Sequence, residues 1–245
     1  MLTKEEFKSL FVKQTKELNL EEFNRDELIF KLKDIQDDIL EKNKFMNITS
    51  IKDDERFLSL HWIDGLTVMK SLKSGFKVID IGTGGGMVPI VIALANPEIK
   101  VVALDSSNKR INYLSEIKTK YGISNLKPVA ARSEDYIRNE KGQREAYDVV
   151  LARAVAHLRP LCELCVPYVK NGGVFIAMKG PGVKEELETS ENAIKTLGCE
   201  VENDEVFEIC CSGEKIEHHN LILRKIHKTD ILYPRNYSQI SKNPL

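Results

Sequence analysis

The sequence predicts an α/β fold in which a mainly parallel β-sheet is covered by helices on both faces. Two patterns predict it: β-rich runs alternate with helix-like segments after residue 75, and apolar residues recur at helical spacing before it. A chain of 245 residues with 42% hydrophobic residues can bury a full core. We therefore expect one large α/β domain with a small appendage.

Residues 1–74 predict that appendage, a helical N-terminal cap. Apolar residues lie three or four positions apart in three stretches: Phe7, Leu10 and Phe11; then Leu28, Leu32, Ile35 and Ile39; then Phe57, Leu60, Leu66 and Met69. Such spacing places them on one face of a helix. We expect the cap to fold over a cleft of the following domain.

Residues 75–226 predict the sheet domain. Five β-rich runs cover residues 76–81, 100–105, 127–131, 147–152 and 173–178, and the helix-like segments include 108–120 and 183–197. This alternation favours parallel strands with helical crossovers. Two further runs, 205–211 and 219–226, are expected to pair as an antiparallel edge hairpin around Ser212-Gly213-Glu214. Residues 227–245 predict a polar, basic tail lying over the surface.

Composition limits the possible partners and the compartment. The formal net charge is −1, so a nucleic acid must be met by a local patch of basic residues. The first residues lack the apolar core of a signal peptide, and the longest apolar stretch, 88–95, is too short to span a bilayer. We expect a cytoplasmic monomer without a membrane partner.

The five cysteines predict reduced thiols. Their number is odd, and a chain of this length needs no disulfides to fold. Cys162 and Cys165 form a C-x-x-C, but they occupy a helix-like apolar segment without a convincing second pair. We interpret them as buried thiols and expect no metal site.

The segment from Val78 to Gly86 predicts a cofactor site. Asp80 lies near the end of a β-rich run, Gly82, Gly84 and Gly86 follow it, and Asp105 ends the next run. Glycines at a strand-to-helix turn let a ligand approach the backbone closely. The third glycine of a dinucleotide motif is absent, since Met87 stands there, and Asp80 suits a cationic amino-acid group better than a pyrophosphate.

These features favour S-adenosylmethionine (SAM), which carries an ammonium and a sulfonium group. Asp105 is then expected to accept hydrogen bonds from its ribose hydroxyls. An NAD site and a glycine-rich turn that binds nothing remain as alternatives.

The pattern Asp80-x-Gly82-x-Gly84-x-Gly86 with Asp105 resembles the class I SAM-dependent methyltransferases, which have a Rossmann-like fold. More narrowly, the chain resembles the bacterial 16S rRNA guanine-N7 methyltransferases, also called glucose-inhibited division protein B. The matching segments are Met46-Asn47-Ile48-Thr49, His61-Trp62-Ile63-Asp64, Ala152-Arg153-Ala154-Val155-Ala156 with Met178-Lys179-Gly180, and Tyr233-Pro234-Arg235 with Lys242-Asn243-Pro244-Leu245. The resemblance implies methyl transfer to N7 of guanine 527 of 16S rRNA.

The resemblance also implies roles for individual residues. Gly82 and Met87 would contact SAM, Ser133-Glu134 would lie at the adenine, and Arg153 would lie at the site and bind SAM. The chain departs from the family in three places, of which one is Asp64-Gly65, where the family has an Asp-Ser pair. It has Met87-Val88-Pro89 where the family usually has Phe-Pro-Gly, and it has Ser238 and Ile240 where the family's tail usually has glycine and proline.

The chemistry itself requires no catalytic histidine or cysteine. Guanine N7 carries a free lone pair and no proton, so the enzyme has to hold the reactants in line rather than remove a proton. Arg153 and Lys179 follow predicted strands at the expected cleft and are candidates for holding O6 or a phosphate. Asn47 and His61 are further candidates from the cap.

The expected RNA surface combines basic and aromatic residues. It comprises Lys109, Arg110, Lys225, Lys228, Arg235 and Lys242, with Tyr233 and Tyr237 available to stack on unpaired bases. We interpret His218-His219 and the acidic stretch 185–188 as surface features of a strand and a helix. Two other functions remain open: a SAM enzyme with a non-RNA substrate, and a catalytically inactive RNA- or ribosome-binding factor.

Overall fold

A computed structural model describes residues 2–245, so that Met1, the first residue of the predicted cap, lies outside the described residues. Seven strands within this range form one sheet in the order β3-β2-β1-β4-β5-β7-β6. Their bounds are β1 (Lys77–Ile81), β2 (Lys100–Asp105), β3 (Leu126–Ala130), β4 (Tyr147–Arg153), β5 (Val169–Lys179), β6 (Cys199–Cys211) and β7 (Glu214–Lys225). Strands β1 to β5 are parallel, and β7 is antiparallel to β5 and β6. The predicted fold class, including the antiparallel hairpin, is confirmed.

Three helical stretches precede the sheet, as the sequence predicts. The first two are α1 (Lys4–Glu17) and α2 (Asp26–Asn43). The third is irregular: it runs through α3 (Asp54–Phe57), a π-helical turn (Leu58–Ile63), α4 (Asp64–Thr67) and a 3₁₀ turn (Val68–Ser71). Such π-helical turns occur frequently at functional sites.

The remaining helices connect and follow the strands. They are α5 (Met87–Ala95), α6 (Asn108–Lys120), α7 (Ser133–Asn139), α8 (Leu158–Cys165), α9 (Val183–Glu188), α10 (Glu191–Thr196) and α11 (Tyr237–Lys242). The expectation of a single helix over 183–197 is wrong, because the structure has two helices there, α9 and α10. The Thr189 and Ser190 hydroxyls donate to backbone carbonyls of the preceding turn, which favours a break in the helix.

Hydrophobic clusters cover both faces of the sheet. One cluster is continuous from Phe7 and Trp62 of the N-terminal helices through Ile90 of α5 to Val101 of β2. The other joins the opposite face to α7, α8, α10 and α11, and it contains both Cys162 and Cys165, which are buried as expected. The N-terminal helices therefore pack on the sheet through α5, while the domain boundaries at residues 74 and 226 stay predictions.

The C-terminal segment is docked more firmly than its polar sequence suggests. Ile240 of α11 is fully buried, and Arg235 forms an ion pair with Glu163, which is itself fully buried. The expectation of a tail lying over the surface is thus incomplete, since one apolar anchor and one buried charge fix it to α8. Across residues 2–245, no helix combines the length and apolar character needed to cross a membrane.

Candidate active site

Two cavities lie at the carboxyl ends of the parallel strands, where α/β sheets bind ligands. The larger, called the main cavity, has a volume of about 880 Å³ and lies between the N-terminal helices and the sheet, whose strand β7 borders it. The smaller, called the adjoining cavity, measures about 380 Å³ and lies over the ends of β2 and β3. Both are lined by Gly82, Arg110, Ala154 and Val155, so they meet at the glycine turn.

Three of the four glycines of this turn have left-handed backbone angles, with φ of +72° at Gly82, +59° at Gly84 and +84° at Gly86. A Cβ added at Gly82 would lie 2.5 Å from Val155 Cγ2, and one at Gly86 would lie 2.5 Å from Leu114 Cδ1. At Gly84 a Cβ would meet open space. Gly82 and Gly84 therefore border the main cavity, whereas Gly86 lines neither cavity and instead allows α6 to approach closely.

Asp80 lies beneath the turn at the end of β1 and lines the main cavity, although it is only 2% exposed. Burial raises its pKa to about 6, against the opposing effects of the Thr83 hydroxyl and the Arg153 charge. A carboxylate in such surroundings is stabilised by a cation placed beside it.

Asp105, at the end of β2, supports the turn from below. Its Oδ2 accepts the N–H of Gly84 at 2.8 Å and its Oδ1 accepts the N–H of Ser107 at 2.9 Å. Each carboxylate oxygen can accept a further hydrogen bond, and Asp105 lines the adjoining cavity. Met87 begins α5 and lines the main cavity. Pro89 lies in the first turn of that helix, where its missing N–H is tolerated.

Arg153 is held on the other side of the main cavity by three acceptors. Its guanidinium donates to the Leu60 carbonyl and to Asp64 Oδ2, both at 2.8 Å, and Nη2 lies 3.0 Å from His61 Nδ1. The irregular helix over 58–67 supplies all three. Asp64 also lies 3.0 Å from His218 Nδ1. Burial would raise the pKa of Asp64, but the hydrogen bond from His218 and the Arg153 charge together hold it below its ordinary value.

His61 is a neutral imidazole in this arrangement. Burial and the neighbouring Arg153 charge lower its pKa to about 3. Because Arg153 has only donors, Nδ1 of His61 must accept, which places the ring proton on Nε2, 2.9 Å from Thr49 Oγ1. His61 therefore orients Arg153 and links it to the loop after α2.

Lys179 lines the main cavity from the end of β5. Its ammonium donates to the Ala156 carbonyl at 2.7 Å and to Glu186 Oε2 at 2.6 Å. The same Glu186 oxygen accepts the N–H of Leu158 at 2.6 Å. Lys179 and Glu186 together fasten the loop after β4 to α9.

Glu186 and His218 are two charged or titratable residues among those of the main cavity that sequence reasoning did not assign to the site. Glu186 belongs to the acidic stretch that was interpreted as a helix surface, and His218 to the pair interpreted as strand surface. The position of His218 could have been found from the pairing of the hairpin with the fifth strand, because His219 lies opposite Lys179 at the end of β5. A residue beside that pair is brought to the carboxyl edge of the sheet.

Of the remaining predicted site residues, Ser133 and Glu134 line a cavity and Asn47 does not. Ser133 and Glu134 begin α7, are buried and line the adjoining cavity. The Ser133 hydroxyl donates to the Leu164 carbonyl at 2.8 Å. Asn47 is exposed and lines neither cavity, whereas its neighbour Ile48 lines the main one. The structure thus gathers every predicted residue at the two cavities except Asn47 and Gly86.

Of the residues expected to form the RNA surface, one is buried and three have other contacts or line a cavity. Lys225 cannot contact RNA, because it is 1% exposed and its ammonium donates to the Val166 carbonyl at 3.1 Å and to the Thr229 hydroxyl. Arg235 is committed to Glu163, Tyr237 lines the adjoining cavity and Arg110 lines both cavities. Lys109, Lys228 and Lys242 are exposed, and Tyr233 is partly exposed.

Structural comparison supports the same fold. TrmN from Thermus thermophilus matches with a TM-score of 0.51 and 17% identity, over 67% of this chain and 48% of that protein. Trm5b from Pyrococcus abyssi matches with a TM-score of 0.51 and 19% identity, again over 67% and 48%. At this level of identity, the likeness concerns the fold alone.

Sequence comparison gives much closer relatives. The ribosomal RNA small subunit methyltransferase G of Clostridium perfringens strain 13 is 40% identical over 226 residues, which is 91% of this chain and 93% of the relative. That of Clostridium kluyveri is 41% identical over 205 residues, 83% of this chain and 84% of the relative. The family model for rRNA small subunit methyltransferase G matches residues 28–213. With most of its length covered in this way, the chain belongs to the rRNA small subunit methyltransferase G family.

Proposed function

We propose that this protein transfers a methyl group from SAM to N7 of a guanine in 16S rRNA, at the position corresponding to guanine 527. Family membership supports SAM as the methyl donor and small-subunit rRNA as the substrate class. The observation that carries the proposal is Asp80, a buried carboxylate beneath a glycine turn at which two cavities meet. We further propose that the protein acts as a cytoplasmic monomer on 16S rRNA or a small-subunit precursor.

The main cavity fits the amino-acid half of SAM. An ammonium group beside Asp80 would offset the burial that raises the pKa of this carboxyl to about 6. Gly84 leaves open space where any side chain would begin, so a ligand can lie against the backbone there. We assign Asp80, Gly82, Gly84 and Met87 to this half, while Gly86 supports the turn through its contact with α6.

The adjoining cavity fits the adenosine half. Asp105 has oxygens able to accept hydrogen bonds from ribose hydroxyls, and its hold on the Gly84 N–H couples this half to the turn. Ser133 and Glu134 line the same cavity together with Leu164, which offers an apolar surface to a planar base. We assign the adenine to this part of the cavity.

SAM supplies a methyl group on a positively charged sulfur, and guanine N7 attacks it with a lone pair that needs no deprotonation. The protein has to align the reactants and exclude water, an effect that supplies roughly 7–11 kcal/mol in well-oriented systems. The neutral His61, hydrogen-bonded through both nitrogens, agrees with a mechanism without a general base.

We propose that Arg153 holds the guanine O6 or a neighbouring phosphate, because three acceptors fix the direction of its guanidinium at the main cavity. Lys179 provides a second positive charge and keeps the loop after β4 in place. His61 acts by positioning Arg153. Asn47, exposed beside the cavity, is assigned to RNA contact at the entrance.

Transfer of a radiolabelled methyl group from SAM tests this function. The substrate is 16S rRNA from a strain that lacks the N7 methylation, and fully modified 16S rRNA is the control. We expect label at N7 of one guanine in the unmodified RNA alone. Label at another base, or transfer to protein or a small molecule without RNA, would contradict the proposed substrate. Tight SAM binding without any transfer would indicate an inactive ribosome-binding factor.

A further inference from the structure

We infer that Tyr237, from the C-terminal helix α11, forms the outer wall of the adenosine site and stacks on the adenine of SAM. The inference rests on the proposed function, which assigns the adenosine half to the adjoining cavity. It makes the C-terminal segment a part of the cofactor site and gives a second role to a region assigned above to RNA.

The position of the ring carries the inference. Tyr237 lines the adjoining cavity and is 43% exposed, so part of the ring is available for contact. The guanidinium carbon of Arg132 lies 5.8 Å from the ring centroid, next to the start of α7. The inner lining of the cavity includes the apolar residues Ile81, Leu104 and Leu164. The cavity thus combines buried apolar side chains with a partly exposed aromatic ring, the side chains on which a planar base can stack.

Charge favours adenine over an RNA nucleotide at this position. Asp105 and Glu134 line the same cavity and are at most 8% exposed. The two arginines of this cavity, Arg110 and Arg132, are exposed, whereas the two carboxylates are buried. The buried carboxylates accept hydrogen bonds from hydroxyl and amino groups, which adenosine offers without a charge. Arg132 Nη1 lies 3.9 Å from Glu134 Oε1 and balances part of that negative charge.

The segment that carries Tyr237 is fixed before any ligand binds. Arg235 pairs with the buried Glu163, and Arg138 donates to the Pro234 carbonyl and the Asn236 side chain. Asn236 caps α11 through a capping box, and Ile240 is buried in the core. Because the ring is held in advance, stacking costs little ordering entropy.

Calorimetric binding of SAM and of 5′-methylthioadenosine, which contains the adenosine half alone, tests the inference. Tyr237→Ala should weaken both ligands by about tenfold, and Tyr237→Phe should leave both unchanged. Leu232→Ala is the matched control, since Leu232 is 70% exposed in the same segment and lines neither cavity. Equal affinity of wild type and Tyr237→Ala for both ligands would overturn the inference. Failure of the wild type to bind SAM would instead refute the proposed function itself.

A second variant reports stacking directly. The chain has one tryptophan, Trp62, which is fully buried in the N-terminal helices. Tyr237→Trp adds a fluorophore at the adenosine site, and saturating SAM should quench its emission while the wild-type emission stays unchanged. No quenching in Tyr237→Trp at saturating SAM would overturn the inference. A Tyr237→Ala variant that raises the KM for RNA with unaltered SAM affinity would also overturn it, and would identify Tyr237 as an RNA contact.

Discussion

Arg153 and Asp64 form a 2.8 Å ion pair that joins the carboxyl end of β4 to the irregular helix of the N-terminal segment. Asp64 is almost fully enclosed and also holds His218, so one carboxylate orients two basic groups at the main cavity. The pair therefore fixes the N-terminal helices to the site at the point where the proposed substrate is held.

Asp64→Asn should destabilise the protein and slow methyl transfer. Loss of the carboxylate leaves Arg153 without its buried counter-ion, which costs about 3 kcal/mol of the free energy of unfolding. The displaced guanidinium should lower turnover by about 10- to 100-fold. Urea unfolding and single-turnover kinetics measure the two effects. Glu191→Gln, which breaks the exposed pair with Lys195, should change stability by less than about 0.5 kcal/mol. Unchanged turnover in Asp64→Asn would contradict the positioning role of this residue.

His61 should make the protein sensitive to acid. Its pKa is lowered from 6.5 to about 3, so the unfolded chain binds a proton that the folded protein excludes between these values. This contribution to stability is complete above pH 6.5 and is lost as the pH falls towards 3, by about 3 kcal/mol at pH 4.5. His61→Asn should flatten that dependence in urea unfolding measured from pH 4.5 to 7.5. His227→Asn, which removes an exposed imidazole, is the control variant measured over the same pH range. The same slope in His61→Asn would show that the imidazole is not held neutral.

Asp80 should make the protein less stable as the pH rises, the opposite of the effect of His61. Its pKa is raised from 3.8 to about 6, so the folded protein retains a proton that the unfolded chain releases. This favourable contribution is complete below pH 3.8 and is lost as the pH rises through 6. Asp80→Asn should therefore stabilise the ligand-free protein at pH 7.5 by up to about 3 kcal/mol, with little effect at pH 4.

The binding of SAM should report the same carboxyl group. The wild-type affinity should rise as the pH increases from 5 to 7, because an ionised Asp80 attracts the ammonium group of SAM. Asp80→Asn should weaken binding at pH 7.5 and remove this increase. A variant that binds SAM as tightly as the wild type at pH 7.5 would disprove the assignment of the ammonium group to Asp80.

Local pattern alone predicted the residues that lie on one strand or at its end. Asp80 lies near the end of β1, Gly82 and Gly84 follow that strand, and Arg153 ends β4. The alternation of strands and helices was therefore enough to bring them to one edge of the sheet. The same reasoning could not separate Gly84, which faces the cavity, from Gly86, which packs against Leu114. That difference depends on the approach of α6.

Residues whose surroundings come from distant parts of the chain could not be predicted. Lys225 has the sequence context of an exposed strand end, yet its ammonium is enclosed by groups from Glu145, Val166 and Thr229. His218 reaches the main cavity through the register of the hairpin and its contact with Asp64, which lies 154 residues earlier in the chain. Contacts between residues so far apart in the chain produce no local sequence pattern from which they could be predicted.

Gly84→Ala should weaken SAM binding by occupying space in the main cavity. The left-handed angle of +59° costs alanine roughly 1–2 kcal/mol in stability, and the new methyl group would lie where the cofactor approaches the backbone. Gly172→Ala is a matched control, since Gly172 also has a left-handed angle, of +77°, and also leaves open space, but it lines neither cavity. Both variants should lose similar stability by thermal unfolding, and Gly84→Ala alone should lose SAM affinity. An equal loss of affinity in both would attribute the effect to strain rather than to contact.

Arg235→Ala should detach the C-terminal segment. Glu163 is fully buried and accepts hydrogen bonds of 2.8 Å from the Arg235 backbone N–H and from Nε, and one of 2.7 Å from Nη2. Removal of the guanidinium leaves this carboxylate without its counter-ion and should cost about 3–5 kcal/mol, whereas Arg224→Ala, at the exposed pair with Glu202, should cost less than about 1 kcal/mol.

The double variant Arg235→Met with Glu163→Met separates loss of the charge from loss of the contact. Two apolar side chains of similar length leave no buried charge, so the double variant should recover most of the stability that Arg235→Ala loses. If α11 then docks as before, Tyr237 returns to the adjoining cavity, and SAM affinity should recover together with stability. Restored stability with SAM affinity still reduced would show that the ion pair itself, rather than the docked segment, supports cofactor binding.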